Sequence, residues 1–598
     1  MHRARPGLAG KPRAAARQVP RTAARGGCRV KRLLLILLLL VPAAWAEGPA
    51  RPAAAAPGRS AIASANAHAT DAGMEVLARG GNAFDAAIAV SATLGLVEPE
   101  SSGLGGGGFL LLHVAKDGRD VFVDARERAP LAATRDMFLD GNGEADRRRS
   151  VDGALAAAIP GLPAALEHLA RHYGRLPLSQ SLAPAIRLAR EGWRFGPKNA
   201  AMLAWRKEAL AGDPGAAALF LPDGRVPEVG TLMRNEDYAR TLELIAREGA
   251  AGFYRGPFAR RLVAGVRKAG GIWSERDLAE YRVVEREPLR LHHRGYEIVT
   301  APPPSSGGVA LATILNILSG YDYAALPPAE RAHLLTEAMR RAYRDRALYL
   351  GDPDFVQAPV AMLTSPDYAA GLRAGIHPRR ATPSALLPGV DAAPARPDTS
   401  HFSIMDAEGN LVAVTQTVNL PFGNALVVPG TGFLLNNEMD DFSVKPGVPN
   451  AFGLVGDDAN AIAPGKRPLS SMTPTFLRGD DRVAVLGSPG GSRIITTVLL
   501  AALGLMDGQD AQAVAAAPRF HHQYLPDRIQ AESGALPAEA VAALEAMGHT
   551  VEVTDRSWGN LQVVAWDRGS GELQTGTDPR WQGVGKGAAT AEEASIYR

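Results

Sequence analysis

Asp398-Thr399-Ser400-His401-Phe402-Ser403-Ile404-Met405, then Asp406-Ala407-Glu408-Gly409-Asn410, then Leu411-Val412-Ala413-Val414-Thr415-Gln416-Thr417-Val418-Asn419: this stretch decides the reading of the chain. Its alternation predicts a strand from Thr399 to Met405, a turn, and a second strand from Leu411 to Asn419. A hairpin symmetric about Glu408 sets Thr417 opposite Thr399 on the same face. Threonines are common in strands, and such a pair is often only a packing and hydrogen-bonding pair. The same arrangement suits a nucleophile that starts life inside a peptide. Breaking the Asp398–Thr399 bond gives Thr399 a free α-amine, which can act as base for its own hydroxyl.

The residues that follow narrow the choice. They are Asn419-Leu420-Pro421-Phe422-Gly423, the run from Gly432 through Asn436-Asn437-Glu438-Met439-Asp440-Asp441 to Ser443, Lys466-Arg467-Pro468-Leu469-Ser470-Ser471-Met472-Thr473-Pro474-Thr475, and Gly487-Ser488-Pro489-Gly490-Gly491-Ser492-Arg493. Together they closely resemble the γ-glutamyltransferase family, from about Ala61 to the C-terminus. The resemblance implies a precursor that cuts itself between Asp398 and Thr399, giving a large subunit 61–398 behind a linker and a small subunit 399–598. It implies one intertwined α+β unit, the four-layer αββα sandwich of N-terminal nucleophile hydrolases. Helices first and then strands meeting helices, with no regular βαβ fingerprint, are compatible with a sheet-on-sheet core covered by helices.

Acyl transfer from a γ-glutamyl amide needs a nucleophile, a base, an oxyanion hole and a grip on the amino-acid end. Thr399 supplies hydroxyl and amine, and Thr417 can orient the hydroxyl. Glycines at Ser488-Pro489-Gly490-Gly491-Ser492, ahead of a helix at Arg493, let backbone N–H groups approach a ligand. The resemblance assigns Gly490 and Gly491 to the oxyanion hole. Arg126 sits just past the apolar strand at Val121-Phe122-Val123, where a guanidinium can hold a carboxylate bidentately. By resemblance it grips the α-carboxylate with Ser470 and Ser471, while Asn419, Glu438 and Asp441 take the α-amine. The resemblance also places an active-site lid at Pro446 to Asn460. Relatives often carry tyrosine where this chain has Phe452, so a hydroxyl latch is missing; the expectation is looser closure and more hydrolysis relative to transfer.

The implied substrates are glutathione and other γ-glutamyl amides, with water or an amino-acid or peptide amine as acceptor. This chemistry needs no cofactor. Two alternatives stand beside it: a related acylase for glutaryl β-lactam side chains or a poly-γ-glutamate transpeptidase, and a non-catalytic exported binding protein that kept the fold. A glutaryl group has no α-amine, so the Asn419/Glu438/Asp441 set speaks against the acylase.

Outside these motifs, 598 residues exceed what one core needs, and 46% hydrophobic with 21% charged residues is ordinary for a globular chain. The formal charge of +3 misleads, because residues 1–46 hold ten Lys/Arg and no Asp/Glu; without them 55 basic and 62 acidic residues remain, a net of −7. Nucleic acid is therefore no expected partner. The basic n-region, the apolar run Leu33 to Val41 and Ala44-Trp45-Ala46 read as a signal peptide cleaved after Ala46, hence export to the periplasm. That run is short for a bilayer span, which takes ~20 residues. Residues 47–60 read as a linker. Cys28 is the sole cysteine, so a chain cut after Ala46 holds no disulfide.

Ala61 to Arg79 and Ala83 to Leu96 read as buried helices, and the glycine run Gly103 to Gly108 as close backbone approach within a sheet rather than a phosphate cradle. Leu155 to Leu350 reads as mostly helical. Gly375 to Pro397 reads as a flexible tail into the cut site. His292-His293 and His521-His522 lack the spacing of a metal site, and the Asn-Asn-Glu-Met-Asp-Asp run lacks that of a calcium loop; no metal is expected.

Overall fold

The hairpin forms in the expected register: Leu411 faces Met405 and Gln416 faces Ser400, one pair short of Thr417 and Thr399. The regular strands are Ser400–Met405 and Leu411–Thr417, so Thr399 sits immediately ahead of its strand. This is a computed structural model, and it describes residues 56–387 and 399–588. The leader 1–46, most of the 47–60 linker and Asp398 lie outside the described residues.

Around the hairpin runs a seven-stranded antiparallel sheet. Its order is Val584–Ala588, Ser60–Ser64, Ser400–Met405, Leu411–Thr417, Gly107–Val114, Arg119–Ala125, Val284–Arg286. A second, six-stranded antiparallel sheet follows the order Leu573–Thr577, Gln562–Asp567, Arg482–Gly487, Thr475–Arg478, Tyr296–Thr300, Leu289–His293. Strand alternation separates two cores. Ala61, Ala63, Phe109, Leu111 and Ala413 share one buried cluster with Phe476, Val485 and Val563 of the second sheet. Their neighbours Ile62, Leu110, Phe402, Ile404 and Val412 face the other way, into a cluster with the helices Ala83–Val97 and Leu178–Glu191. Helices Gly307–Leu318, Pro328–Tyr349 and Ile494–Met506 supply the apolar cover of the second sheet. Four layers, αββα, result.

Several elements differ from the sequence reading. Ala61 begins no helix: Ser60–Ser64 is a strand, and the helix starts at Ala67 with Asn66 capping it. Alanine-rich composition favours a helix locally, but pairing on both edges, to Ser400–Met405 and to Val584–Ala588, overrides it. The helical stretch 155–350 is broken by three strands between Val284 and Thr300, two of which close the second sheet. The part of the tail described, up to Leu387, is held in place: Ser384 N–H donates to Asp527 and Tyr524 Oη donates to the Leu387 carbonyl. The glycine run behaves as expected. A Cβ on Gly106 would lie 1.9 Å from the Thr417 carbonyl oxygen, so only glycine lets this strand seat against Thr417.

Candidate active site

Thr399 lies at the end of the cleft between the sheets because its parity matches His401, Ser403 and Met405, whose side chains face the second sheet. Ser403 Oγ donates to the Gln562 carbonyl, and a Cβ on Gly487 would strike the His401 ring. At the same end the Arg482–Gly487 strand stops and the chain turns through Gly490 (φ 137°) and Gly491 (φ 55°) into a helix. Both conformations favour glycine. At the start of that helix the Arg493 and Ile494 N–H groups donate to the Gly490 and Gly491 carbonyls.

One pocket gathers what the sequence marked. Arg126, Thr399, Thr417, Asn419, Glu438 and Asp441 line it, joined by Ser470, Ser471, Gly491 and Phe452. Gly490 lies outside it, on the wall of the neighbouring cavity. Thr399 Oγ1 and Thr417 Oγ1 are 3.5 Å apart, and Asn419 N–H donates to Thr417 Oγ1 at 2.7 Å. With one lone pair so occupied, the Thr417 hydroxyl is free to donate toward Thr399. Asn419 holds a positive φ of 78° and commits its amide N–H to the Asn437 carbonyl, leaving its side-chain oxygen as the open acceptor.

Arg126 is no surface arginine. It is fully buried and pairs with Glu438 and, at 2.5 Å, with Asp441, while its Nε donates to the Pro468 carbonyl. Burial drives the Glu438 and Asp441 carboxyls upward in pKa, opposed by the Arg126 charge. Next to them Glu127 is wholly buried, neither of its oxygens has a hydrogen-bond partner, and burial pushes it up to about 7. Glu438 Oε2 and Ser471 Oγ are also buried without a partner. The pocket thus keeps one acceptor and one hydroxyl uncommitted beside its guanidinium.

Three functional groups escaped the sequence reading. Glu127 adjoins Arg126 but belongs to no motif with a stated role. Arg346, buried and lowered to about 10 by desolvation, places a second cation near Asp441. Gln523 Nε2 donates to the carbonyls of Phe452 (3.4 Å) and Gly453 (3.1 Å), holding the segment expected as a lid by its backbone. Asn450 of the same segment donates to Asp441 at 3.1 Å, tying that segment to the pocket. His333, Glu337 and His549 bring metal-ligating atoms within 4.8 Å of one another. His333 and His549 hydrogen-bond each other, Glu337 pairs with Arg340 and Arg341, and none of the three lines the Thr399 pocket.

Two facing sheets between helices, with a threonine at the head of a strand in the cleft, define the fold of the N-terminal nucleophile hydrolases. The gamma-glutamyltranspeptidase family model matches residues 69–588, and the chain belongs to that family. It is 42% identical over 525 residues to the glutathione hydrolase proenzyme of Escherichia coli (strain K12), covering 87% of this chain and 90% of that one. To the glutathione hydrolase proenzyme of Pseudomonas sp. (strain A14) it is 45% identical over 487 residues, 80% of this chain and 84% of that one. The crystal structure of a cephalosporin acylase from Bacillus halodurans superposes with a TM-score of 0.79 at 30% identity, over 92% of this chain and 99% of that chain.

Proposed function

We propose that the chain is an exported, self-processing γ-glutamyltransferase and glutathione hydrolase with Thr399 as nucleophile. One observation carries this: a single buried pocket joins Thr399 to a guanidinium, two carboxylates and an uncommitted serine hydroxyl. That donor and acceptor set fits the zwitterionic end of a γ-glutamyl group. The substrate's carboxylate exchanges with Glu438 and Asp441 at Arg126, and its ammonium takes the carboxylates released, with Asn419. Each buried charge then keeps an opposite partner. Cleavage at Asp398–Thr399 frees the Thr399 amine, which accepts the hydroxyl proton as Oγ1 attacks the γ-carbonyl carbon. Gly490 and Gly491 N–H groups stabilise the oxyanion. The C–N bond breaks, the amine leaves with that proton, and water or an acceptor amine then resolves the ester. The subunits 61–398 and 399–598 stay together, since both sheets draw strands from each.

The export reading rests on the basic-apolar leader, and among the described residues no helix is long and apolar enough to cross a membrane. The acylase likeness keeps a glutaryl substrate as a second reading; the acids at Glu438 and Asp441, which a glutaryl group would leave without a cation, favour the γ-glutamyl one. The test is a denaturing gel with N-terminal sequencing of each band, Thr399→Ala alongside, then a γ-glutamyl-p-nitroanilide assay. Two wild-type fragments, the smaller beginning Thr-Ser-His-Phe-Ser, an uncut variant and turnover are expected. An uncut, inactive wild type sinks the reading and favours a binding protein.

A further inference from the structure

Behind the strand that begins at Ser400 lies a buried ion cluster outside the Thr399 pocket. Ser400 shares the parity of Phe402 and Ile404, so its side chain points to the helices rather than into the pocket. There its hydroxyl donates to Glu98 Oε2 at 2.9 Å. Glu98 directly follows the helix Ala83–Val97. The same oxygen accepts from Lys198 Nζ at 3.1 Å; Lys198 also donates to Ser101 Oγ at 3.0 Å and lies 3.5 Å from Glu100 Oε1. Lys198 is the second residue of the helix Pro197–Ala211, and Asn199 beside it donates to Glu100 Oε2 at 2.8 Å. Ser400 and Glu100 are fully buried, Glu98 is 2% exposed and Lys198 7%. Burying an ion pair costs desolvation energy, and a fully hydrogen-bonded buried network rigidly fixes the groups it touches. What this network touches is the residue next to the nucleophile. It also reaches the loop that carries Asn419, where the Glu100 carbonyl accepts from the Phe422 N–H.

Cleavage changes what holds Thr399. In the precursor, peptide bonds tie it on both sides. In the cut enzyme it is the first residue, one position ahead of its strand, and Ser400, paired with Gln416, is its only covalent neighbour. A small rotation at Ser400 then moves Thr399 Oγ1 directly, and a misplacement of about 1 Å can cost about 10²-fold in rate. We propose that Ser400, Glu98 and Lys198 are positioning residues that stand in for the lost tether. They hold the backbone at Ser400 so that the freed Thr399 keeps its hydroxyl at the attack position, and they are dispensable for the cut itself. The inference rests on the reading of Thr399 as nucleophile toward a γ-glutamyl donor. All three act through Thr399, and none touches the substrate.

The test separates cutting from turnover in the full chain. Cutting is read on a denaturing gel. Acylation is read as first-turnover release of p-nitroaniline from γ-glutamyl-p-nitroanilide, as a function of donor concentration. Ser400→Ala is expected to cut as the wild type does and to lose about tenfold in acylation rate at saturating donor, with the half-saturating concentration within about twofold of the wild type. Glu98→Gln keeps an acceptor for Ser400 and stays within about threefold of the wild-type rate. Glu98→Ala falls at least as far as Ser400→Ala, and the double variant falls no further than Glu98→Ala, because the two residues act as one unit. A wild-type acylation rate in Ser400→Ala overturns the proposal and leaves the γ-glutamyl reading standing. So does a Ser400→Ala chain that stays uncut, a loss that appears in half-saturation rather than in rate, or losses that multiply in the double variant. A cut wild type with no γ-glutamyl turnover overturns both.

Discussion

On one side of the Gly490–Gly491 pair the molecule is closed and self-paired; on the other it is open and cationic. The Thr399 pocket holds about 20 Å³, and its guanidinium already has two carboxylate partners. The cavity beyond Gly490 holds about 910 Å³ and has donors without partners. A pocket whose charges pair with each other admits only a ligand that replaces both members of each pair, because removing one partner of a buried pair costs about 3–5 kcal/mol. One glycine turn divides these two environments, with Gly491 on the closed side and Gly490 on the open one.

Arg126→Ala breaks the closed side hardest. It strands Glu438, Asp441 and Glu127 without their cation, and kcat/KM for γ-glutamyl-p-nitroanilide is expected to fall by about 10³ or more. Turnover within about tenfold of the wild type would mean that Arg126 does not hold the substrate. Asp441→Ala comes next, at about 10²-fold, because Glu438 still compensates Arg126. Glutaryl-p-nitroanilide has no ammonium for Asp441 to meet. Its turnover should be spared, and an equal loss on both donors would give Asp441 a structural role instead.

A milder probe is pH. Burial raises Glu127 from its ordinary 4.5 to about 7. Between those values the folded state keeps a proton that the unfolded chain has lost, so stability falls as pH rises through this window and levels off above it. Glu127→Gln removes the titration. Its Tm should gain on the wild type by roughly 1–2 °C between about pH 5 and pH 8. A constant difference across that range places the titration elsewhere in the cluster.

The closed side was the legible one. The period of the hairpin set Thr417 beside Thr399, and the glycine run announced the close approach that Gly106 makes to Thr417. The positions of Arg126, Asn419, Glu438 and Asp441 came from motif resemblance, yet no motif says that Arg126 pairs with the two acids. That pairing joins residues more than three hundred positions apart. Distance along the chain also hid the strand at Ser60–Ser64, whose partners lie in the two later parts of the sequence, and the strands between Val284 and Thr300, too short to stand out among helices. The open side was illegible for a different reason. Trp205, Trp558 and Trp581 are isolated tryptophans in sequence, and an unmatched N–H is visible only once every neighbour is placed.

The segment expected as a lid is where sequence and structure give rival accounts: Phe452 lines the Thr399 pocket and also a small pocket formed with Arg493 and Gln523. Absence of a hydroxyl at Phe452 predicts loose closure. In the structure the segment is held by the Gln523 amide on its backbone, and that amide is itself oriented. Its Oε1 accepts from His521 Nε2 at 2.8 Å, and burial keeps His521 neutral, so Nδ1 is the acceptor facing Thr496 Oγ1 at 2.8 Å. A latch of one or two neutral hydrogen bonds is worth ~1 kcal/mol. Gln523→Ala is therefore expected to raise the hydrolysis-to-transfer ratio by about twofold to threefold. Phe452→Tyr decides between the accounts. If closure lacks a hydroxyl, tyrosine moves the ratio toward transfer. If the backbone latch suffices, the ratio is unchanged by tyrosine and responds only to Gln523, which would make lid tension a property of the segment after the Phe520–His521 strand rather than of the lid's own tip.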